Sequence, residues 1–371
     1  LSGSLTDGAA GTLAITQSGT GTTIVASAAT YTGATTISAG TLQIGDGTTG
    51  NLTGTSGVTV SSTGSLAIDL ADGSTFAPNI TLSATGASVK AIQSGTNTLS
   101  GLISGTGLLN QNGTGTTILT ATDTYTGATN INAGTLEVDG SLAAASIVHV
   151  ATAGTLSGTG TVNGNTTLTG NGVINLGSGG GIGGTLAITG GNWNGLGTVT
   201  GLVTSSSGAF NLNGSLTAAA GLSVTGGTFA GSGTLNGKLT YTSTVSSTFG
   251  GNIAGAGSTL TLNSIATLTL TGNNTYTGAT TLTAGNLQVG NGTTGSLAGT
   301  SGVAVNGSSD LFLNLADGST FTTSVNLNGT LATLTLIQSG TTTVSSAVSG
   351  TGILNQNGGG TTVLNIAETY T

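Results

Sequence analysis

The chain has 371 residues, of which 70 are glycine, one is proline, none is cysteine and 3% are charged, and its formal net charge is −8. Apart from one histidine, its only basic residues are Lys90 and Lys238. They are too few to neutralise a nucleic acid or to dock the chain on an anionic membrane. Without cysteine, the chain forms no disulfide and no thiolate metal site. An apolar fraction of 36% exceeds that of a disordered chain. The sequence contains no apolar run of about 18 residues, the length that a membrane-spanning helix requires.

The sequence begins at Leu1 and contains neither a methionine nor the basic and apolar segments of a signal peptide. We therefore expect an internal or processed piece of a longer chain. Its length suits two or three ordinary domains, or a repeat array that no single core limits. The glycine content favours the array, because a continuous ladder of backbone hydrogen bonds offsets the conformational freedom that glycine loses on folding.

A short motif, YTGAT, marks the repeats. It begins at Tyr31, Tyr125 and Tyr276, and its first two letters recur at Tyr370. Tyr31 and Tyr125 are 94 residues apart, as are Tyr276 and Tyr370. The motif-bearing segments lie near residues 15–44, 109–138, 262–289 and 354–371.

Each motif repeats a tyrosine, two glycines and a leucine, for which we predict structural roles. These residues are Tyr31, Gly33, Gly40, Leu42, Tyr125, Gly127, Gly134, Leu136, Tyr276, Gly278, Gly285, Leu287 and Tyr370. We expect the tyrosines to pack at a corner or lock the register, although aromatic rings also stack on sugars. The glycines are expected at corners that require a positive φ.

Residues 31–126 align without a gap with residues 276–371, which gives a super-repeat of about 245 residues, present one and a half times. Apolar residues replace apolar residues between the copies, as expected of a core. Two acidic residues become amides: Asp46 becomes Asn291 and Asp69 becomes Asn314. A catalytic carboxylate is not expected to become an amide, so we predict no enzyme active site and no cofactor.

Strand signals dominate within each copy. Val58 and Val60, then Leu66, Ile68 and Leu70, alternate with small polar residues, which is the period of a half-buried strand. Glycine or a β-branched residue interrupts every window long enough for an amphipathic helix. The chain is therefore predicted to be all-β.

Leucines recur at intervals near twenty residues: 24 from Leu42 to Leu66, 20 from Leu136 to Leu156 and 19 from Leu216 to Leu235. We predict a single-stranded parallel β-helix (β-solenoid) with roughly 20 residues per coil, over residues 1–371 as one continuous segment of a longer chain. Tandem immunoglobulin-like sandwiches are the alternative. Such domains usually carry a core tryptophan and more prolines, whereas Trp193 lies between motif copies and Pro78 is alone.

Few residues invite a catalytic or metal-binding interpretation. His149 is read as a solvent-facing strand residue, because no cysteine or second histidine can join it in a metal site. Asp69 and Asp72 resemble a glycosidase pair. The second copy keeps only Asp317, the equivalent of Asp72, so a turn role is favoured for Asp72 and Asp317. Asp46 and Asp139 lack the spacing of known calcium loops, and Gly177 to Gly184 lack the lysine and helix of a phosphate loop.

Polar rows are a further expectation. Asn110, Gln111 and Asn112, matched by Asn355 to Asn357, are predicted to form side-chain amide ladders. Thr116 and Thr117, and likewise Thr361 and Thr362, are candidates for a regular surface row that binds carbohydrate, mineral or ice, although threonine is also a good strand former.

The segments Ile15 to Ile44 and Leu109 to Val138 resemble the autotransporter-associated β-strand repeat of bacterial passenger domains. A less regular copy runs from Leu262 to Val289, and a fourth begins at Leu354 and stops at Thr371. The resemblance implies a right-handed parallel β-helix displayed outside the cell, often as the stalk of an adhesin or another very large surface protein. It supplies no catalytic residues.

Together these features predict a non-enzymatic, structural extracellular rod or fibre segment at the bacterial cell surface. The alternative is an adhesin whose Thr- and Asn-rich rod surface itself binds carbohydrate, cells, mineral or ice. The expected partners are other copies or neighbouring repeats of the same long chain and, in the alternative, host or cell-surface glycans. We expect no nucleic acid partner and no membrane insertion by this segment.

Overall fold

The structure is a computed structural model that describes residues 1–9 and 11–365, together with the backbone of residues 369–370. The chain divides into two compact units, Leu1–Leu186 and Ala187–Thr371, called unit 1 and unit 2 below. The described residues form short strands joined by turns, and no helix occurs among them. No segment of the described chain could therefore cross a membrane as a helix.

Each coil of unit 1 contains three strands, and the equivalent strands of successive coils lie on one another as three stacks. Stack A contains Ile15–Gln17, Thr35–Ile37, Val58–Val60, Ile80–Leu82, Ile103–Gly105, Thr122–Asp123, Ser141–Leu142, Thr161–Val162 and Gly181–Ile182. Stack B contains Thr22–Val25, Thr41–Ile44, Ser65–Ile68, Ser88–Ala91, Leu108–Gln111 and Thr166–Thr169. Stack C contains Ala28–Ala29, Asn51–Leu52, Ser74–Phe76, Thr96–Leu99, Thr116–Leu119 and Val173–Leu176. Two long strands bend from stack B into stack C: Thr129–Val138 and Val148–Gly158.

Unit 2 has the same construction. Stack D contains Gly191–Trp193, Ala209–Leu212, Thr228–Ala230, Ser247–Phe249, Asp310–Leu313, Thr333–Leu336 and Ile353–Gln356. Stack E contains Val203–Ser205, Leu222–Val224, Leu239–Tyr241, Val303–Asn306, Val325–Asn328, Val348–Gly350 and Thr369–Tyr370. Stack F contains Thr198–Val199, Ser215–Ala218, Thr234–Asn236, Asn252–Ala254, Asn273–Asn274, Ser296–Leu297, Ser319–Phe321, Thr341–Val344 and Thr361–Leu364. The long strands Leu260–Leu270 and Thr280–Val289 bend from stack E into stack D, and Leu186–Thr189 spans the boundary of the units.

The strands pair in parallel and in register. The three leucine pairs that gave the predicted period are direct neighbours: Leu42 with Leu66, Leu136 with Leu156, and Leu216 with Leu235. The prediction of an all-β parallel solenoid with roughly 20 residues per coil is confirmed. Antiparallel sandwiches are excluded for the described strands, and the right-handed sense stays a prediction.

Alternation along each strand separates the core from the surface. In Val58–Val60 both valines are buried and Thr59 between them is exposed, as the two-residue period requires. Because neighbouring strands are in register, the inward side chains form columns, and each fully buried aliphatic side chain contributes ~1.5–3 kcal/mol. The core of unit 2 also stacks Phe229 on Phe249, with ring centroids 4.4 Å apart.

The motif does not return to the same side of the solenoid. The motif strand Thr35–Ile37 pairs with Val58–Val60 in stack A, whereas the equivalent residues 129–131 pair with Leu109–Gln111 in stack B. The 94-residue spacing is therefore not a whole number of coils. Successive motifs in unit 1 consequently occupy different faces.

Candidate functional site

Three of the four motif tyrosines are core residues. Tyr31, Tyr125 and Tyr276 are fully buried, and Tyr31 Oη lies 2.6 Å from Thr35 Oγ1. The other two phenols make the same bond to the threonine four residues later. Burial raises the pKa of Tyr276 to about 12, so the phenol stays neutral. A buried ring cannot stack on a sugar. The side chain of Tyr370 lies outside the described residues.

Each Tyr–Thr pair extends to the next coil. The hydroxyl of Thr35 is 3.0 Å from that of Thr55, and Thr129 Oγ1 is 2.9 Å from Ser146 Oγ. Thr280 and Thr300 repeat the contact at 3.2 Å. The chain of hydroxyls ties the motif to its following neighbour, which is a register-setting role.

The two motif glycines are required for different reasons. Gly134 has a φ of 59°, and a Cβ there would lie 2.4 Å from the carbonyl oxygens of both Gly113 and Gly115. Gly127 has no left-handed φ, but its Cβ would lie 2.1 Å from Gly107 O. The expectation of a positive φ thus applies to the second motif glycine, and close contact with the preceding coil explains the first.

A glutamine corner accompanies the motif, and the sequence analysis missed it. Gln111 Nε2 donates to the carbonyls of Gly113 at 2.9 Å and Gly115 at 3.2 Å, while Thr117 Oγ1 donates to Gln111 Oε1 at 2.5 Å. The pattern recurs at Gln17 and Gln356. The repeated spacing Q-x-G-x-G-x-T was the available signal.

The predicted amide ladder is confirmed in part. Asn130 Nδ2 donates to Asn110 Oδ1 at 2.8 Å, and Asn132 Nδ2 donates to Asn112 Oδ1 at 2.8 Å. Gln111 points inward to its own corner instead, so its assignment to the ladder was wrong. Alternation along the strand explains the split, since residues 110 and 112 face one way and residue 111 faces the other.

The predicted threonine row is likewise divided between the surface and the core. Thr117 is fully buried and accepts a hydrogen bond from Gln93 Nε2 at 2.6 Å, so it was wrongly placed at the surface. Thr116 is half-buried on the outer side. In register with it lie Thr96, Thr135 and Thr155. Adjacent threonines of one strand therefore do not form one surface, but equivalent threonines of successive coils do.

The carboxylates at coil corners bind the backbone. Asp72 Oδ1 accepts the N–H of Thr96, and Asp317 Oδ1 accepts that of Thr341, both at 2.6 Å. A bond within the turn of each aspartate had been expected. Each bond instead reaches the next coil. Asp139 similarly accepts the N–H of Thr159 at 3.1 Å. These carboxylates act as clips between coils.

Asp46 organises a projecting loop, residues 45–50. Its Oδ1 accepts the N–H groups of Thr48 at 3.0 Å and Thr49 at 2.7 Å, and these hydrogen bonds, with the Thr48 hydroxyl, lower the pKa of Asp46 to about 2. No group of three or more histidine and carboxylate side chains that could hold a metal occurs among the described residues. His149 is exposed, with Nδ1 2.8 Å from Thr167 Oγ1.

Asp123 is the exception among the acids that the structure describes, because it is buried. It is 2% exposed, accepts the N–H of Ile103 at 2.8 Å, and burial raises its pKa to about 7. The equivalent residue before Tyr276 is Asn274, whose Oδ1 accepts the N–H of Ile253 at 2.9 Å. An acid and an amide thus share one structural position, which the sequence analysis did not single out.

Three segments of the chain match the family described as passenger-associated-transport-repeat: residues 15–44, 109–138 and 257–289. They coincide with three of the four predicted motif segments, the third starting five residues earlier than expected, so the recognition of a passenger-type repeat is confirmed. A search of curated proteins found none that matches the chain. The repeats and the solenoid fit a rod of the autotransporter passenger type.

Proposed function

We propose that this chain is a structural, non-catalytic rod displayed outside a bacterial cell, in which both units belong to one continuous solenoid. It would serve as the stalk of a very large surface protein or as the building block of a filament. The observation that carries the proposal is the in-register parallel pairing of successive coils, which directs backbone hydrogen bonds along the stack. The passenger-type repeats support a location outside the cell.

The side chains suit a passive spacer. The few acids at corners are occupied by backbone N–H groups, as for Asp72 and Asp139, and the surface is otherwise rich in Thr, Ser and Asn. Neutral hydroxyls and amides change little with salt or pH. Such a surface resists changes in the medium, and a continuous ladder leaves proteases few extended segments to bind.

Electron microscopy of the purified chain tests the proposal. About 18 turns, at ~4.8 Å each, predict a rod on the order of 80–90 Å long. A chain with one inserted super-repeat should be longer by roughly 55–60 Å with no change in width. Compact particles, or an insertion that adds no length, would contradict a continuous rod.

Limited proteolysis and end-to-end association refine the same proposal. We expect slow, all-or-none digestion under conditions that cleave an unfolded control within minutes. Single rods indicate a stalk, whereas concentration-dependent lengthening in whole multiples indicates filament assembly from copies of this chain. Rapid cleavage within the strands would argue against either form.

A second candidate is an adhesive rod, favoured by one outward row in unit 1. Thr16, Thr36, Thr59 and Thr81 lie in register on successive coils, so their hydroxyls repeat at the inter-strand spacing of ~4.8 Å. The row is incomplete in the second copy of the super-repeat, where Ala304 takes the place of Thr59.

Replacement of Thr59 and Thr81 by valine tests this candidate, because valine keeps the shape of threonine and removes the hydroxyl. Binding to a glycan array or inhibition of ice recrystallisation should be lost in the double variant. The matched control is Thr281→Val in the second copy. No binding by the parent chain in either assay would eliminate the adhesive row.

A further inference from the structure

One corner of unit 2 contains an open cleft of about 420 Å³. It is lined by Gly250, Asn252, Thr271, Asn273, Thr293 and Thr294, and is called the corner cleft below. The volume falls near the lower end of the range for small-molecule sites. The cleft lies between the loop of residues 290–295 and the corners of coils that precede it in the chain.

The loop that forms one wall is fixed by its own hydrogen bonds. Asn291 Oδ1 accepts the N–H groups of Thr293 at 3.0 Å and Thr294 at 2.9 Å. Gly290 and Gly292 have φ values of 85° and 91°, which other residues rarely adopt. A wall held in this way needs little ordering when a ligand binds, which lowers the entropic cost of association.

The opposite wall offers neutral hydrogen-bonding groups. Asn252 Oδ1 accepts the N–H of Asn273 at 2.9 Å, which fixes the orientation of the Asn252 amide. The Nδ2 atoms of Asn252 and Asn273, and the hydroxyl of Thr271, have no hydrogen-bond partner within the described part of the chain. No charged or aromatic side chain lines the cleft. These donors suit a ligand rich in hydroxyl oxygens.

The two copies of the super-repeat differ at this corner in one consistent direction. The first copy has Ala26 where the second has Thr271, and Ala28 where it has Asn273. It also has Asp46 in place of Asn291, and hydrogen bonds from its own loop keep the pKa of Asp46 low. The second copy thus has a hydroxyl and an amide on the opposite wall where the first copy has two alanines, and its loop has an amide in place of a carboxylate.

A second carboxylate of the first copy corresponds to an amide beside the same loop. In the first copy Asp69 lies near the loop, with Gly47 N donating to Asp69 O at 2.7 Å. In the second copy Asn314 replaces it and keeps the backbone contact, because Gly292 N donates to Asn314 O at 2.7 Å. This backbone contact is therefore the same in both copies, whereas the second copy lacks both charges.

We propose that the corner cleft binds a neutral, hydroxyl-rich ligand, namely a short segment of an uncharged glycan. The inference goes beyond the spacer role and does not depend on it. Without an aromatic ring to stack on the sugar, the cleft should bind weakly, with a Kd of ~1 mM.

Saturation-transfer NMR with the full chain tests the proposal, with maltotriose, cellotriose and chitotriose as the neutral probes and trigalacturonate as the acidic probe. At least one neutral trisaccharide should give saturable transfer at roughly millimolar concentration, and the acidic probe should give at least tenfold less. No saturable signal from any neutral probe up to roughly 10 mM would overturn the proposal, as would a preference for the acidic one.

A double variant, Thr271→Ala with Asn273→Ala, copies the residues of the first repeat and so is expected to fold. It should weaken the binding of the neutral probe at least tenfold. The matched control, Thr225→Ala with Asn213→Ala, alters the same residue types at corners elsewhere in unit 2 and should leave binding unchanged. Equal loss in both variants, or in neither, would place the binding elsewhere. If microscopy shows rods but no such binding is found, the proposed glycan binding by the cleft is refuted and the spacer role is not.

Discussion

At the scale of single residues, the position two residues before a motif tyrosine shows how one site accommodates an acid or an amide. Asn274 Nδ2 donates to the carbonyls of Gly272 and Ser296, both at 3.0 Å. A protonated Asp123 can donate one such hydrogen bond, whereas an ionised Asp123 cannot donate any. Burial raises the pKa of Asp123 to about 7, because the ionised carboxylate loses its hydration there.

Asp123→Asn should remove a pH dependence from folding stability. The raised pKa of about 7, against an ordinary value of 3.8, means that the stabilisation is complete below pH 3.8 and is lost as the pH rises through 7. The total loss is on the order of 4 kcal/mol. Thermal unfolding between pH 4 and pH 8 should show a falling midpoint in the parent chain and a flatter profile in the variant.

Asn274→Asp provides the reverse experiment at the equivalent position. It should introduce a second fall in stability between the same pH limits, because the new carboxyl would be buried beside the Gly272 and Ser296 carbonyls. If neither substitution changes the pH profile, Asp123 is ionised without cost in the folded chain, and the assigned pKa direction is wrong.

At the scale of the coil, glycine is needed at corners because the coil beneath leaves no room for a Cβ. The repeated glycines were visible in the sequence, but the reason for each was not. Gly134 combines a left-handed φ with two close carbonyls, whereas Gly127 is limited by contact alone. The strand alternation was predictable from the two-residue period, and the inward turn of Gln111 and Thr117 follows from the same rule applied strictly.

Gly134→Ala and Gly73→Ala separate the two effects. Gly73 has a φ of 75° but nothing within 4 Å of its Cβ position, so its substitution should cost ~1 kcal/mol for backbone strain alone. A Cβ at Gly134 would lie 2.4 Å from two carbonyl oxygens, which requires the corner to move and should cost at least ~3 kcal/mol. Denaturant unfolding measures both, and equal costs would refute the steric argument.

At the scale of the whole molecule, the super-repeat implies that the coils are interchangeable at equivalent positions. In both copies the strand before the motif pairs with the motif strand, Ile15 with Thr35 and Leu260 with Thr280. The residue before the motif tyrosine is threonine in both, at Thr30 and Thr275. A join between Thr30 and Tyr276 thus recreates a native junction.

Excision of residues 31–275 should give a shorter chain that still folds, because every new neighbour has a counterpart in the parent chain. Far-ultraviolet circular dichroism per residue should be unchanged, and unfolding should remain cooperative. Excision of residues 31–265 shifts the join by about half a coil and serves as the control, since it places inward residues opposite turns. Equal folding of both chains would show that register is not specified by the repeat.

The sequence by itself determined the all-β class, the coil length and the passenger-type repeat, because period-two alternation and exact repetition are local properties of the chain. The tertiary structure decided what each repeated polar residue does. Whether Thr116 or Thr117 faces solvent, whether Asp72 closes its own turn or clips the next coil, and whether Asp123 is buried depend on contacts between residues about 20 apart. Those contacts exist only once the coils are stacked, since burial and hydrogen-bond partners come from the neighbouring coil rather than from the chain's own sequence neighbours.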